Sequence, residues 1–137
     1  MSVKRLRFHL LAVIILVNLT GCISKPVLTE KMGDLEFEVL SEEEIPEELL
    51  ENIEKAKQRA FRMTYEDEGV LYITEGYGKQ EHTGYSVEVT DVYESQNAIC
   101  FHTSLLGPEK NEEVKEIATF PYVVIKLEAI GKEVVFE

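Results

Sequence analysis

The sequence predicts an α+β fold that is mainly β: an antiparallel sheet or sandwich of about six or seven strands with one covering helix. Three observations lead to this. Apolar and polar residues alternate in several short stretches, as at Phe61, Met63 and Tyr65 and at Tyr85, Val87 and Val89; that period belongs to a half-buried strand. Turn-forming residues interrupt these stretches at short intervals, so each strand can return beside the last. One stretch alone, Pro46 to about Ala60, carries helical spacing.

The elements follow in order. Leu35, Phe37 and Val39 alternate with Glu36 and Glu38 and predict one half-buried strand. Pro46 suits a first helical position, and Glu47 and Glu48 favour the positive end of the helix dipole. Leu49, Leu50, Ile53, Ala56 and Ala60 then form one apolar stripe, read as core packing, with Lys55, Lys57 and Arg59 toward the C-terminal end. Phe61 to Tyr65, the turn Asp67-Glu68-Gly69 and Val70 to Thr74 predict a hairpin. Tyr85 to Thr90 reads as a strand. A turn near Glu94-Ser95-Gln96 leads to another at Ala98 to Thr103. Ser104 to Thr119 is polar, with a bend at Gly107-Pro108. Tyr122 to Leu127 is a β-branched run, and Gly131-Lys132 turns into Val134-Val135-Phe136. There is no internal repeat and no low-complexity tract.

The start of the chain is built differently. Lys4, Arg5 and Arg7 precede an unbroken apolar run from Leu10 to Val17, and Leu19-Thr20-Gly21-Cys22 closes the segment. The run is shorter than the roughly 20 apolar residues of a membrane span and suits the core of a signal peptide. Small side chains at Thr20 and Gly21 suit a cleavage cleft, and the Cys22 thiol can form a thioether to a diacylglyceryl unit. This pattern resembles the lipobox of bacterial lipoproteins. Residues 1–21 are therefore expected to be a lipoprotein signal peptide, 22–33 a tether and 34–137 the β-rich domain. Lipidation at Cys22 is expected to hold the protein on the extracytoplasmic face of the cell membrane, since two or more acyl chains hold stably where one does not.

Charge narrows the partners. The chain of 137 residues has 14 basic and 26 acidic side chains, a net charge of −12. Loss of the leader with its three basic residues would leave 116 residues at −15. That field repels phosphate backbones and anionic headgroups, so no nucleic-acid partner is expected, and the lipid is expected to be the membrane anchor.

Little catalytic chemistry is legible. With Cys22 lipidated, Cys100 has no partner for a disulfide and sits in the apolar run Ala98-Ile99-Cys100-Phe101, where a buried, inert thiol is expected. His82 and His102 lie 20 residues apart with no Cys or His at metal-ligand spacing, so neither metal nor other cofactor is expected. Cys100 and His102 would share a strand face, but side chains two residues apart stand about 7 Å from each other, beyond hydrogen-bond reach. There is no Gly-x-Ser-x-Gly elbow and no phosphate-binding Gly-rich loop, and no enzyme is expected.

The most unusual segment is Gly76-Tyr77-Gly78-Lys79-Gln80-Glu81-His82-Thr83-Gly84-Tyr85, between two predicted strands. Its glycines permit positive φ or close backbone approach, and Tyr77 and Tyr85 offer apolar faces with polar tips. A connecting loop with a core tyrosine and a recognition loop both fit; Tyr77, His82, Thr83, Gly84 and Tyr85 are the candidate binding residues.

From about Val70 to Lys126 the chain resembles the C-terminal domain of the PrcB family, named for a subunit of a surface protease complex. Three pieces carry the resemblance: Gly78 to Tyr85 followed by Ser86-Val87-Glu88-Val89, then Leu105-Leu106-Gly107-Pro108, then Thr119-Phe120-Pro121-Tyr122-Val123-Val124-Ile125-Lys126. Where the family reads Pro-Thr-Gly-Gly-Tyr, this chain has Glu81-His82-Thr83-Gly84-Tyr85, so Gly84 and Tyr85 align. The resemblance implies a non-catalytic accessory lipoprotein that binds an exported protein, a protease of a surface complex. The alternative expectation is a protease inhibitor-like binding protein presenting Thr83-Gly84-Tyr85 as its loop.

Overall fold

The computed structural model describes residues 24–137, so the predicted leader and Cys22 lie outside the described residues. Eight strands form two four-stranded sheets: β1 (Gly33–Asp34), β2 (Glu38–Val39), β3 (Ala60–Asp67), β4 (Val70–Tyr77), β5 (Ser86–Glu94), β6 (Ala98–Leu106), β7 (Tyr122–Glu128) and β8 (Glu133–Phe136). The first sheet runs β1-β5-β6-β8 and the second β2-β7-β4-β3. A short 3₁₀ turn (Glu42–Glu44) precedes α1 (Glu47–Ala56), the one α-helix among the described residues. The mainly β sandwich with one covering helix is as the alternation predicts. No helix among the described residues is long and apolar enough to cross a membrane.

Two cores explain the layering. Leu71, Ile73, Val123, Ile125 and Leu127 of the second sheet meet Val92, Ile99 and Phe101 of the first between the sheets. On the outer face of the second sheet, Leu49 and Ile53 of α1 pack with Leu40, Ile45 and Val124, joined by Phe61, Met63, Tyr65 and Tyr72. The central strands of the second sheet are thus covered on both faces. This is why β7 reads as a nearly continuous apolar run while β3, at the edge, alternates. Ile53 is fully buried, a burial that contributes about 1.5–3 kcal/mol.

Local chemistry sets the strand joints. β3 and β4 form the predicted hairpin, with Asp67 opposite Val70. Its two linking residues both take positive φ, 46° at Glu68 and 80° at Gly69, a type I′ turn whose twist matches the strands. In β5 the register against β6 slips between Val89 and Asp91. The bulge re-aims the strand, so the core face passes from Val87 and Val89 to Val92. Period two breaks there in the sequence, although the strand continues to Glu94.

Three expectations are corrected. The helix ends at Ala56 rather than near Ala60; Ala60 is exposed and opens β3, opposite Tyr77, which seats Phe61 over Gly76. The stretch 35–39 is not one strand but a crossing between sheets. The Leu35 N–H donates to the Val92 carbonyl at 3.0 Å, and Glu38 and Val39 pair with Lys126 and Ile125. Because each half bonds to a different sheet, no single face is buried, and Phe37 and Val39 remain exposed. The strand pairs are antiparallel as expected except one: β8 runs parallel to β6, because β7 between them lies in the other sheet and the chain must cross back. Finally, much of the segment expected as a tether is fastened. Asn97 holds it from both sides, accepting from Leu28 N–H at 2.8 Å and donating to the Pro26 carbonyl at 3.0 Å. Met32 N–H donates to the Glu94 carbonyl, extending the first sheet.

Candidate functional site

The five candidate loop residues separate into two groups. Tyr77 ends β4 and belongs to a polar chain that crosses the sandwich. Arg62 Nε donates to Glu75 Oε1 at 2.9 Å, and Thr103 Oγ1 donates to Glu75 Oε2 at 2.7 Å. Tyr77 Oη lies 2.6 Å from Thr103 Oγ1. The single threonine proton already goes to the carboxylate, so the tyrosine is the donor. Glu75 is only 6% exposed on the inter-sheet face, where an unpaired carboxylate would be costly; two partners satisfy it. Tyr77 is therefore a strut between β4 and β6.

His82, Thr83, Gly84 and Tyr85 lock the loop against the segment after β6. The Thr83 N–H donates to the Lys115 carbonyl at 3.0 Å, and the Lys115 N–H returns a bond to Thr83 Oγ1 at 2.9 Å. Thr119 Oγ1 donates to the His82 carbonyl at 3.0 Å, and Gln80 and Thr119 exchange backbone bonds at 2.8 and 3.0 Å. Nδ1 of His82 is 2.8 Å from the Thr83 carbonyl, which can only accept, so the proton sits on Nδ1. On the neutral ring Nε2 is then an acceptor for the Tyr85 hydroxyl, 3.5 Å away, and the two rings lie 4.9 Å apart. Gly84 has φ of 99°, and a Cβ there would stand 2.7 Å from Pro108 Cβ. Thr83 and Gly84 thus face the 107–119 segment. The exposed apolar side chains at this end are Leu106 and Ile117, at 44% and 58% exposure.

The three stretches that carry the resemblance, far apart in sequence, meet here: Gly84 on Pro108, and Gln80 and His82 on Thr119. Residues 71–128 match the family model described as PrcB C-terminal. This segment belongs to the PrcB C-terminal family. No curated protein and no solved structure matches the chain. The PrcB C-terminal segment spans β4 to β7; β1, β2, β3, α1 and β8 complete the sandwich around it.

Cys100 lies at the first sheet's centre with no exposed surface. Tyr93, its cross-strand partner, covers it, stacks on His102 with ring centroids 5.5 Å apart, and donates to the Thr29 carbonyl at 3.0 Å. The thiol held against the tyrosine hydroxyl, with burial second, pushes Tyr93 up to about 12. His102 Nε2 is 3.1 Å from a Glu137 carboxylate oxygen, at an angle that makes no hydrogen bond. Among the described residues no group of three or more His, Cys, Asp or Glu side chains is placed to hold a metal.

Sequence reasoning missed Glu75, Thr103, Pro108, Lys115 and Thr119 as partners of the loop. Glu75 had a readable signal: it continues the core-facing series Leu71, Ile73 at period two, so an acid there calls for buried partners. Pro108 and Thr119 stood out only through the resemblance; Thr103 and Lys115 had no signal, because each is defined by a contact across the fold.

Proposed function

We propose that this chain is a lipid-anchored, non-catalytic accessory protein on the extracytoplasmic face of the membrane. It binds an exported protein, a protease of a surface complex, at the sandwich end formed by residues 78–85 and 105–119. The observation that carries the reading is the convergence of the family-bearing pieces at this one end. The family name supports a protease-complex role and an accessory rather than catalytic part in it. The basic start, apolar core and Leu19-Thr20-Gly21-Cys22 support the anchor. The binding role is supported by exposed Leu106 and Ile117 beside a loop already held by hydrogen bonds, because a preorganised surface loses less entropy on association.

The test is photocrosslinking in intact cells from a probe at Ile117, followed by identification of the captured protein. Capture of one exported protease, lost on Leu106→Glu and reduced by His82→Ala with Tyr85→Ala, is expected. Capture that persists with Leu106→Glu and the loop double variant would remove this end as the docking surface. Cys22→Ser is expected to release the protein from membranes; retention would refute the anchor.

A further inference from the structure

We propose that β3 is a dimerisation edge: two copies of this chain join β3 to β3, antiparallel about a two-fold axis at Thr64, into one continuous eight-stranded sheet. The occupant of the edge is a second copy because β3 is complementary to itself.

The two ends of the second sheet are unlike. At one end β2 lies against β7 as part of the crossing that also forms β1, and so shields that side. At the other end β3 presents eight residues with unbroken register against β4 and, among the described residues, no neighbour beyond. Hydrogen-bond parity fixes which groups point outward. The Tyr77 N–H donates to the Pro121 carbonyl at 3.1 Å, and the Ala129 N–H to the Gly69 carbonyl at 2.9 Å. Odd-numbered residues of β4 therefore bond to β7, and Val70, Tyr72, Thr74 and Gly76 bond to β3. Their partners are Asp67, Tyr65, Met63 and Phe61. The type I′ turn requires the same, since its flanking pair, Asp67 and Val70, is hydrogen-bonded. The N–H and C=O groups of Arg62, Thr64 and Glu66 are left facing away from the sheet. All three residues are exposed, and none of their backbone groups bonds to backbone outside the ladder.

Natural edges are blunted by proline, bulges, short length or charged side chains. β3 has no proline and no bulge, and its charged residues Arg62 and Glu66 are opposite in sign and placed symmetrically about Thr64, so they oppose most registers but match a second copy in one. Antiparallel pairing centred on Thr64 sets Arg62 against Glu66 of the second copy twice, on one face. On the other face it sets Met63 against Tyr65 twice. Parallel pairing in register would instead set like charges side by side. Arg62 uses Nε for Glu75, which leaves both terminal nitrogens of the guanidinium free for a carboxylate across the axis.

Cysteine crosslinking of the full chain in detergent reads the register. At the axis the two Thr64 Cα atoms would be about 5.5 Å apart, within disulfide reach. Two Glu66 residues would be offset by four positions, roughly 14 Å along the strand. Under mild oxidation Thr64→Cys is expected to give a disulfide-linked dimer, and Glu66→Cys and the unaltered chain are not. Adding Glu66→Lys to Thr64→Cys sets cation against cation and is expected to lower the yield roughly tenfold. Equal yields at positions 64 and 66, no dimer at 64, or a yield indifferent to Glu66→Lys would each overturn the proposal. As a check free of engineered cysteines, light scattering is expected to give a dimer for the unaltered chain and a monomer for Thr64→Pro. That change removes an outward N–H without touching the ladder to β4. A monomeric unaltered chain would also overturn it.

Discussion

Gly84→Ala is expected to unlock the PrcB loop from the segment it rests on. Two costs add at this position. Alanine held in a left-handed conformation costs about 1–2 kcal/mol, and Gly84 sits at φ of 99°. The new methyl would also stand 2.7 Å from Pro108 Cβ, an atom in a rigid ring that cannot swing aside. Overpacking of this kind costs about 1–3 kcal/mol. If the loop stays docked, the variant should lose about 2–5 kcal/mol in urea unfolding. If the loop detaches instead, the global loss is smaller and the damage is local. The Thr83 and Lys115 amides, which bond across the docking contact, then exchange with solvent much faster. Gly107→Ala is the control: its Cβ would meet only Tyr85 Cε1, at 3.7 Å, so a change within about 0.5 kcal/mol is expected. Unfolding and exchange of Gly84→Ala indistinguishable from Gly107→Ala would refute the argument that this contact holds the loop.

Other consequences can be measured on the same domain. Tyr77→Phe removes only the outer donor of the Arg62–Glu75–Thr103–Tyr77 chain and should cost about 0.5–1.5 kcal/mol in urea unfolding. Thr103→Val strips a donor from Glu75 and an acceptor from Tyr77, and should cost more, about 1–3 kcal/mol; the order of the two losses is the check. Cys100 has no exposed surface, so a thiol reagent should label it only as fast as the first sheet opens, and immediately in denaturant. In alkaline titration followed by tyrosinate absorbance, one tyrosine should lag the rest and ionise near 12. Its folded-state value is raised above the ordinary 10, so the stability linked to its proton is complete below pH 10 and lost as pH rises through about 12. Tyr93→Phe should delete that late step.

Much of the fold was legible because it depends on local rules. The β3–β4 hairpin follows from alternation around Glu68-Gly69, and the helix from the stripe Leu49, Leu50, Ile53. The errors fall where a residue answers to something distant. Leu35 and Val39 look like one strand but bond to different sheets. Ala60 fits the helical stripe yet is needed as the first rung opposite Tyr77. Among the candidate loop residues, the glycines signalled unusual backbone: Gly78 and Gly84 take positive φ, and Gly76 admits the ring of Phe61. What they close against was not readable, since Pro108 and Thr119 lie 24 and 35 residues beyond Gly84.

By itself, then, the sequence determined the kind of surface each segment offers: period two made strands, period 3.6 made one helix, and turn residues at 67–69 made a hairpin. These are properties of neighbouring residues, so they survive without knowledge of the rest. Only the tertiary structure decided which sheet each strand joins, which carboxylate is buried with partners and which is free, and that loop 78–85 rests on 107–119. Those outcomes depend on contacts across the fold. A hydrogen bond or a 2.7 Å approach to a proline ring exists only once two remote stretches have been brought together by the burial of a shared core.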